Sequence, residues 1–282
     1  MNENKAKIAV IGGDMRQIYA AEELIKMGYT VSEYGFGTLR GSDEIPLSEV
    51  TDGALAVLLP VPVTRNGEMN MPFSRQKPTY PEVLSHSENA KLICGGMFPD
   101  GEESTGRIFD LCRDESFNIM NAVPTAEGAL AVAMENTDIT INGMTAAVTG
   151  FGRIGKALCR ILSALGARVI AVSRSEKDRA LSGLLGYRSV GYRDFAEVIG
   201  TADVIFNTVP CRVITPAHLD GMKKSTPIIE LASKPGGVDG YEAICRGIRV
   251  ISAQSLPGKT APVTAGKIIA RRLDEKIKEV RV

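Results

Sequence analysis

The sequence contains no tryptophan, and aromatic residues make up only 5% of its 282 residues. So few rings provide little surface on which nucleic acid bases can stack. Lysine and arginine number 33, and aspartate and glutamate also number 33, so the formal net charge is zero. A chain without excess positive charge lacks the field that attracts a protein to a polyanion. Neither nucleic acid nor an anionic membrane surface is therefore an expected partner.

Patterns typical of disulfide frameworks and metal sites are also missing. The five cysteines are far apart, odd in number and never arranged as C-x-x-C, which is typical of a protein in a reducing compartment. The only two histidines, His86 and His218, lie far from any cluster of cysteines or carboxylates at ligand spacing. Each is expected to be a capping or surface residue, and no metal is expected.

No long hydrophobic run is present. The longest, residues 54–63, spans about ten residues and includes two prolines, which is too short for a membrane-spanning helix. Residues 1–5 show no basic segment followed by an apolar one, as a secretory leader would require. We therefore expect a cytoplasmic protein with no membrane partner.

Glycine is abundant, with 29 residues, and short apolar runs alternate with segments of helical spacing. This alternation is typical of α/β domains with parallel sheets, and the length is enough for about two of them. We predict two Rossmann-like, doubly wound parallel-sheet domains with a cleft between them. The expected divisions are an N-terminal substrate or partner domain (1–122), a connecting helix (123–140), a nucleotide-binding domain (141–262) and a C-terminal helix that packs back on the first domain (263–282).

Two local assignments complete the first domain. The pattern of residues 106–113 predicts a helix, and that of 118–122 predicts a strand. Pro124 would then stand in the first turn of the connecting helix, where proline is well tolerated.

The most specific motif is G-x-G-x-x-G after an apolar strand and before a predicted helix, the context that a dinucleotide-binding turn requires. The first glycine allows a tight turn, the second lets the backbone approach a pyrophosphate, and the third allows the helix to pack closely. The alternative is that the glycines serve packing only. The predicted cofactor contacts of this turn are Gly150, Phe151, Gly152, Arg153, Ile154 and Gly155.

The end of the next strand indicates which nicotinamide cofactor is used. An NAD site usually has an acidic residue about 20 residues after the turn, where it binds the ribose 2′-hydroxyl. This sequence instead has Ser173, Arg174 and Ser175. Because arginine can pair with a 2′-phosphate, we predict NADP. In the alternative interpretation Arg174 stacks on adenine and NAD also binds.

Two later strand ends are expected to lie near the nicotinamide half of the cofactor. For the second of them, residues 230–239, the alternative is a glycine-rich turn with solvated charges. The predicted contacts are Asn207, Thr208, Val209 and Pro210 after one strand and Leu231, Ala232 and Ser233 after the other.

Several residues are candidates for substrate binding and catalysis. Arginines on strand-end loops suit an anionic substrate, and the predicted substrate residues are Arg16, Thr64, Arg65 and Thr125. The predicted catalytic residues are Arg65, Glu127 and Lys234, of which Glu127 or Lys234 would move a proton. Each has a simpler alternative, since Glu127 could cap a helix and the cations could be ordinary surface charges.

With these motifs in place, the chain resembles the family of dipicolinate synthase A subunits over nearly its whole length. The strings that carry the resemblance are residues 6–17 (AKIAVIGGDMRQ), 123–128 (VPTAEG), 149–156 (TGFGRIGK), 230–237 (ELASKPGG) and 256–262 (LPGKTAP). The resemblance implies a pyridine-nucleotide oxidoreductase that acts with a small flavoprotein-like B subunit of dipicolinate synthase in the mother cell of a sporulating bacterium. It also implies a hydroxy-tetrahydrodipicolinate substrate, a dicarboxylate that would suit arginines, and is compatible with a homodimer.

Two other functions remain open at this point. The glycine turn is shared with D-2-hydroxyacid dehydrogenases, but Ser233 and Lys234 stand where the catalytic arginine of those enzymes would be expected. The chain could alternatively be a non-catalytic protein that binds the cofactor and supports a partner.

Overall fold

The structure is a computed structural model that describes residues 6–41, 45–99 and 106–281. Residues 1–5, on which the expectation of no leader depends, lie outside this range. Contacts between Cα positions divide the chain into two compact units. Unit 1 comprises the residues up to Asn121 together with those from Ala261 onward, and unit 2 comprises Ala122–Thr260.

Unit 1 contains a five-stranded parallel sheet of order β2-β1-β3-β6-β7 and a separate antiparallel hairpin, β4-β5. Counted within the unit, the parallel sheet has the 2-1-3-4-5 order of flavodoxin-like folds. The strands are β1 (Lys7–Ile11), β2 (Thr30–Tyr34), β3 (Ala54–Leu58), β4 (Thr64–Arg65), β5 (Glu68–Met69), β6 (Leu92–Gly95) and β7 (Ile108–Asp110). The helices are α1 (Met15–Lys26), α2 (Gly37–Arg40), α3 (Leu47–Thr51), α4 (Tyr80–His86), the start of α5 (Glu115–Asn136) and, at the other end of the chain, α12 (Pro262–Arg281).

Unit 2 contains a six-stranded parallel sheet of order β10-β9-β8-β11-β12-β13, the 3-2-1-4-5-6 order of dinucleotide-binding domains. Its strands are β8 (Thr145–Thr149), β9 (Arg168–Val172), β10 (Arg188–Val190), β11 (Val204–Asn207), β12 (Ile228–Glu230) and β13 (Val250–Ser252). Its helices are α6 (Arg153–Ala164), α7 (Glu176–Leu184), α8 (Phe195–Val198), α9 (Pro216–Asp220), α10 (Gly240–Cys245) and α11 (Leu256–Thr260). The prediction of two doubly wound parallel-sheet folds is confirmed.

Helix α12 packs against α1 within unit 1. Its apolar stripe, including Ile269 and Leu273, is fully buried in the core beneath the first sheet. A Cβ on Gly266 would lie 2.6 Å from the carbonyl oxygen of Arg16, so only glycine permits this close approach between the two helices. Arg272 also binds Asp114 with two hydrogen bonds, of 3.1 and 2.7 Å. The last helix of the chain is thus an integral part of the first unit.

Two of the local assignments are wrong. Residues 108–110 form an edge strand that pairs with β6, because pairing within the sheet outweighs the helical pattern of so short a segment. Residues 118–122 are helical, since α5 begins at Glu115 and continues to Asn136. The Asp114 carboxylate accepts a hydrogen bond of 2.6 Å from the backbone of Phe117 and so supports the first turn. Pro124 therefore lies inside the helix, and α5 starts eight residues before the predicted connecting helix.

All five cysteines are free thiols. Burial raises the pKa of Cys112 to about 11 and that of Cys159 to about 12, and it raises the pKa of Cys94 further. These three are therefore thiols rather than thiolates at neutral pH and act as small core residues.

Candidate functional site

The glycine turn of unit 2 joins the end of β8 to the start of α6. Gly150 has a φ of +90°, which favours glycine. A Cβ on Gly155 would lie 2.0 Å from the carbonyl oxygen of Gly150, so the helix can approach the turn only if this residue is glycine. By contrast, a Cβ on Gly152 would meet nothing within 4 Å. The protein itself therefore does not require glycine at 152, but a closely approaching ligand would.

The N-terminus of α6 is bare. Gly152 is its N-cap, no side chain caps the first turn, and that turn contains no acidic residue. The first backbone N–H groups of a helix lack intrahelical partners and carry partial positive charge, so they suit a pyrophosphate. Phe151 is buried in the core, Ile154 packs beside it, and Arg153 is exposed. The backbone of the turn is thus suited to bind a dinucleotide, and Phe151 and Ile154 anchor the turn in the core.

The turn after β9 carries cations close to the surface. Ser173 is 4% exposed and its hydroxyl donates to the carbonyl of Ser175, while Arg174 is exposed. Arg179 donates from Nη1 to the carbonyls of Ser173 and Arg174, at 3.3 and 2.7 Å. Ser175 caps α7. Of the predicted residues here, Arg174 and Ser175 are therefore exposed and Ser173 is buried, and Arg179 supports the turn through its two hydrogen bonds.

The ends of β11 and β12 hold a buried polar network. Asn207 is fully buried, and its amide nitrogen donates to Glu230 Oε1 at 2.6 Å and to the carbonyl of Val209 at 3.0 Å. Its amide oxygen accepts from Thr149 Oγ1 at 2.6 Å and from the backbone of Val209 at 3.3 Å. Asn207 thus lies beneath the loops and uses its hydrogen bonds on the protein. Thr208 is half-buried and donates to the carbonyl of Thr149 at 2.8 Å.

The other predicted cofactor residues of these strand ends differ in exposure. Val209 is half-buried and Pro210 is exposed. Leu231 and Ala232 are buried, while Ser233 is exposed beside Lys234. The loop of residues 231–237 therefore presents its middle to solvent and holds its two ends inside.

In unit 1, the predicted substrate arginines lie near one internal carboxylate. Arg16 is 6% exposed and donates to Asp14 from Nε and Nη2, both at 2.9 Å. Arg16 Nη2 also donates to the carbonyl of Val61. Burial acts to raise the pKa of Asp14, but the hydrogen bonds and charge of Arg16, helped by the charge of Arg65, lower it below its usual value. Within the described residues, Arg16 donates from Nε and Nη2, and Nη1 donates no hydrogen bond.

Arg65 and Thr64 lie on the β4-β5 hairpin. Arg65 is exposed and pairs across the hairpin with Glu68, and Asn66 and Gly67 form the turn with positive φ. Thr64 is half-buried and lines a cavity of about 590 Å³ together with Tyr80 and other residues of the unit. The hairpin thus carries both predicted residues to the surface of unit 1.

The remaining predicted site residues lie in unit 2. Thr125 is half-buried and Glu127 is exposed on α5, and Lys234 is exposed and precedes a cis proline, Pro235. Glu127 does not cap the start of the helix, because α5 begins twelve residues before it. Its exposure is compatible with contact to a ligand.

His218 has a structural role. Its Nδ1 accepts a hydrogen bond of 3.0 Å from the backbone of Thr215 in a capping box at the start of α9, and its ring packs near Phe195. Burial lowers its pKa. No group of three or more His, Cys, Asp or Glu side chains in the described part of the chain could hold a metal ion. Among the same residues, no helix is long and apolar enough to cross a membrane.

Three residues near the predicted cofactor site were not singled out by the sequence patterns: Glu230, Arg179 and Tyr192. Burial raises the pKa of Tyr192 to about 12, and this ring lies near the Gly150 backbone and Arg174. Glu230 lies at the end of an apolar run that a glycine-containing loop follows, and this position is the signal that could have identified it. Arg179 and Tyr192 carry no comparable signal, because only folding brings them to the strand ends.

Comparison with known proteins matches both parts of the chain. Residues 7–104 match the N-terminal domain of the dipicolinate synthase A subunit, and residues 123–237 match the D-isomer specific 2-hydroxyacid dehydrogenase, NAD binding domain. The second match supports a nicotinamide cofactor and an oxidoreductase. It agrees with the bare helix terminus and the glycine turn.

Whole-chain comparisons extend these matches. The dipicolinate synthase A subunit of Bacillus subtilis (strain 168) is 32% identical over 296 residues, which covers 98% of this chain and 97% of the relative. The crystal structure of the dipicolinate synthase A subunit from Bacillus halodurans has a TM-score of 0.86 and 31% identity, and the match covers 96% of this chain and 97% of that one. Salmonella D-lactate dehydrogenase, at TM-score 0.63, 17% identity and 95% coverage of both chains, shares the fold alone. The predicted resemblance is confirmed, and the chain belongs to the family of dipicolinate synthase A subunits.

Proposed function

We propose that this protein is an NADP-dependent oxidoreductase that forms dipicolinate from a hydroxy-tetrahydrodipicolinate, together with a B subunit, in the cytoplasm of a sporulating cell. The family supports the substrate and the partner. The observation that carries the choice of cofactor is the end of β9, where exposed Arg174 stands next to Ser173 and no carboxylate occupies the strand end. A guanidinium there favours a 2′-phosphate over a hydroxyl.

The reaction needs a hydride acceptor, groups that bind carboxylates and a group that moves a proton. Loss of water from the substrate gives a dihydro ring, and removal of one hydride and one proton then makes that ring aromatic. When bound, the nicotinamide cofactor supplies the hydride acceptor. Arg65 and Arg16 Nη1 bind substrate carboxylates, since charge-assisted hydrogen bonds are strong and directional. Glu127 or Lys234, both exposed, moves the proton.

The cofactor assignment is tested by titrating the protein with NADPH and NADH and following nucleotide fluorescence. Ser173→Asp and Arg174→Ala should each weaken NADPH binding about tenfold or more and leave NADH binding less affected, since about 1.4 kcal/mol corresponds to tenfold. Arg160→Ala, which removes an exposed cation on α6, serves as the control and should change neither affinity. If both variants kept the native preference between the two nucleotides, the 2′-phosphate assignment would be wrong.

The substrate assignment is tested with Arg65→Ala in steady-state kinetics. Loss of one charge-assisted hydrogen bond, about 1.5–3 kcal/mol, should raise KM for the substrate tenfold or more and leave NADPH affinity unchanged. Arg75→Ala, which removes another exposed arginine of unit 1, is the matched control. An equal loss of substrate and cofactor binding, or of neither, would reject the role of Arg65.

Turnover separates an enzyme from a supporting protein. We expect the chain with its partner to oxidise the substrate and to reduce NADP, followed by absorbance of the reduced nicotinamide. Nucleotide binding without turnover, both with and without the partner, would instead identify a non-catalytic role. D-2-hydroxyacids should not be substrates, because Ser233 and Lys234 replace the expected arginine.

A further inference from the structure

Glu230 is a buried carboxylate held by three N–H donors rather than by a cation. The residue is 7% exposed at the end of β12. Its Oε1 accepts from Asn207 Nδ2 at 2.6 Å and from the backbone of Ala232 at 3.1 Å, and its Oε2 accepts from the backbone of Gly237 at 2.9 Å. All three of these partners are uncharged N–H groups. Burial of a carboxylate is costly, so a specific task is expected of it.

The two backbone donors are the two ends of one loop, residues 231–237. Glu230 therefore closes this loop onto itself. A Cβ on Gly236 would lie 3.2 Å from Glu230 Oε2, and a Cβ on Gly237 would lie 2.1 Å from Asn207 Nδ2. Both glycines are thus needed for the loop to reach the carboxylate. The exposed middle of the loop carries Ser233 and Lys234.

The network continues from Glu230 across the sheet. Asn207 pairs in register with Glu230 on one side and with Thr149 on the other. Its amide binds both side chains, so the carboxylate, the amide and the Thr149 hydroxyl form a continuous row. Thr149 immediately precedes Gly150, the first glycine of the phosphate-binding turn. The loop is therefore fixed relative to that turn by side-chain hydrogen bonds as well as by the strands.

The strand order assigns the Asn207 and Glu230 end of this row to one half of a dinucleotide site. In a 3-2-1-4-5-6 sheet the first three strands bind the adenosine half and the other three bind the nicotinamide half. Strands β11 and β12 belong to the second half. We propose that Glu230 is a positioning residue that holds the loop of residues 231–237 against the nicotinamide end of the cofactor. The proposal rests on binding of a nicotinamide dinucleotide, but not on the preference for NADP or on the substrate.

The test measures two ligands on four proteins: the native chain, the variants Glu230→Gln and Thr149→Val, and a control. NADPH fills both halves of the site, whereas adenosine 2′,5′-bisphosphate fills only the adenosine half. Glu230→Gln keeps the shape but places an amide N–H₂ against an N–H donor, so the loop loses part of its anchor. NADPH should bind at least tenfold more weakly to the variant, and the bisphosphate should bind within twofold of the native affinity. Both affinities are measured by calorimetry, with urea unfolding alongside.

Asp203→Asn is the matched control because Asp203 lies just before β11, at the opposite edge of the same sheet. Its carboxylate accepts from the backbone of Thr145 at 2.9 Å and pairs with Lys223 at 3.1 Å. The control should lower stability without changing either affinity. Thr149→Val is a second test variant that removes the far end of the row, and it should weaken NADPH binding more than bisphosphate binding.

The outcomes are distinct. The positioning role would be overturned if Glu230→Gln weakened the binding of NADPH and of the bisphosphate equally, or changed neither affinity. It would also be overturned if Asp203→Asn weakened NADPH binding relative to bisphosphate binding as much as Glu230→Gln does. If Glu230→Gln fails to fold, Thr149→Val tests the proposal through the same comparison of NADPH affinity with bisphosphate affinity. Failure of the native chain to bind NADPH and NADH would instead reject the dinucleotide function itself. If the native chain bound NADH but not NADPH, only the choice of NADP would be rejected. The test would then use NADH in place of NADPH and adenosine 5′-monophosphate in place of the bisphosphate.

Discussion

Each unit contains a strand followed by a glycine-containing turn and a helix, β1 to α1 in unit 1 and β8 to α6 in unit 2, yet only the second of these two helices starts without a side-chain cap. In unit 2, the start of α6 has no side-chain cap and no acidic residue in its first turn. In unit 1, the start of α1 is closed by Asp14, which caps the helix and binds Arg16. The same local architecture therefore offers an anion site in one unit and an internal ion pair in the other.

The difference shows that the presence or absence of a capping side chain separates a helix N-terminus that is satisfied within the protein from one that can bind a ligand. Orphan N–H groups must find a partner, and where a side chain supplies it, no ligand is needed. Asp14 supplies it in unit 1, whereas Gly152 leaves the groups of α6 for a ligand. The close approaches that need glycine also differ, because Gly155 lets α6 approach its own turn, whereas Gly266 lets α12 approach α1.

The largest expected effect comes from Asp14→Ala, which would open the turn of unit 1. This substitution removes a helix cap and leaves the buried guanidinium of Arg16 without its carboxylate, at a cost of about 3 kcal/mol. Urea unfolding measures the loss, and NADPH affinity should stay native. Thr79→Ala removes the exposed cap of α4 and should cost about 1 kcal/mol or less, which separates capping from the ion pair. Equal losses in the two variants would contradict a stabilising role of the pair.

Gly155→Ala should produce the next largest effect, because it would push α6 away from the turn of unit 2. The new Cβ would lie 2.0 Å from the Gly150 carbonyl, and relief of such an overlap costs about 1–3 kcal/mol. NADPH affinity should fall tenfold or more in a fluorescence titration. Gly183→Ala, in α7 with open space around it, should leave binding unchanged and slightly raise stability. Native binding by Gly155→Ala would contradict the packing role.

Gly152→Ala should separate binding from stability. The residue has an extended backbone that alanine can adopt, and a Cβ there meets nothing within 4 Å. Urea unfolding should therefore change by less than about 0.5 kcal/mol, while NADPH binding should weaken about tenfold, or 1.4 kcal/mol. Gly240→Ala has similar open space and should alter neither. Unchanged NADPH affinity would mean that no ligand approaches this turn closely.

The smallest expected effect is a difference in the response of the two units to acid. Burial lowers the pKa of His218 in unit 2 below its usual 6.5, so the unfolded chain binds a proton first and stability is lost as pH falls from 6.5 toward the folded pKa. Arg16 holds the pKa of Asp14 in unit 1 below 3.8 despite its burial, so that contribution is lost only as pH falls further. Of these two groups, only His218 should therefore lower the free energy of unfolding when the pH falls from 7.5 to about 5.

The measurement is urea unfolding of the native chain at several pH values in that interval. His218→Asn keeps an acceptor for the Thr215 backbone but does not titrate, so its stability should depend less on pH than that of the native chain. His86→Asn removes the other histidine and should keep the native pH dependence. If His218→Asn and the native chain responded identically, His218 would not control stability in this range.

Regular elements with strong periodicity were predictable from the sequence. Strands β1 and β8 coincide with short apolar runs that a glycine follows directly, and such a run between a polar segment and a glycine turn is unambiguous. The segments 106–113 and 118–122 were not, since edge pairing with β6 decided the first and the cap at Asp114 decided the second. Short segments near a sheet edge depend on tertiary neighbours more than on their own pattern.

The candidate site was predictable to a similar degree. The glycine turn follows from its motif and context, and the exposure of Arg174 agrees with its predicted place at the end of β9. The ion pair between Arg16 and Asp14 could not be predicted from the sequence. The Asp14 carboxylate reaches Arg16 only when Asp14 takes up its position as the cap of α1. The burial of Asn207 could not be predicted either, because its amide binds the carboxylate of Glu230 on the neighbouring strand.

By itself, the sequence determined two doubly wound folds, the position of the glycine turn after β8 and the family to which the chain belongs, because all three depend on local spacing and on glycines with a steric purpose. Only the tertiary structure decided which polar groups are exposed and which bind one another inside the protein. Asp14, Asn207 and Glu230 find their partners through pairing of strands and helix ends. A hydrogen bond between buried groups requires both partners in place, and the chain brings them together only on folding.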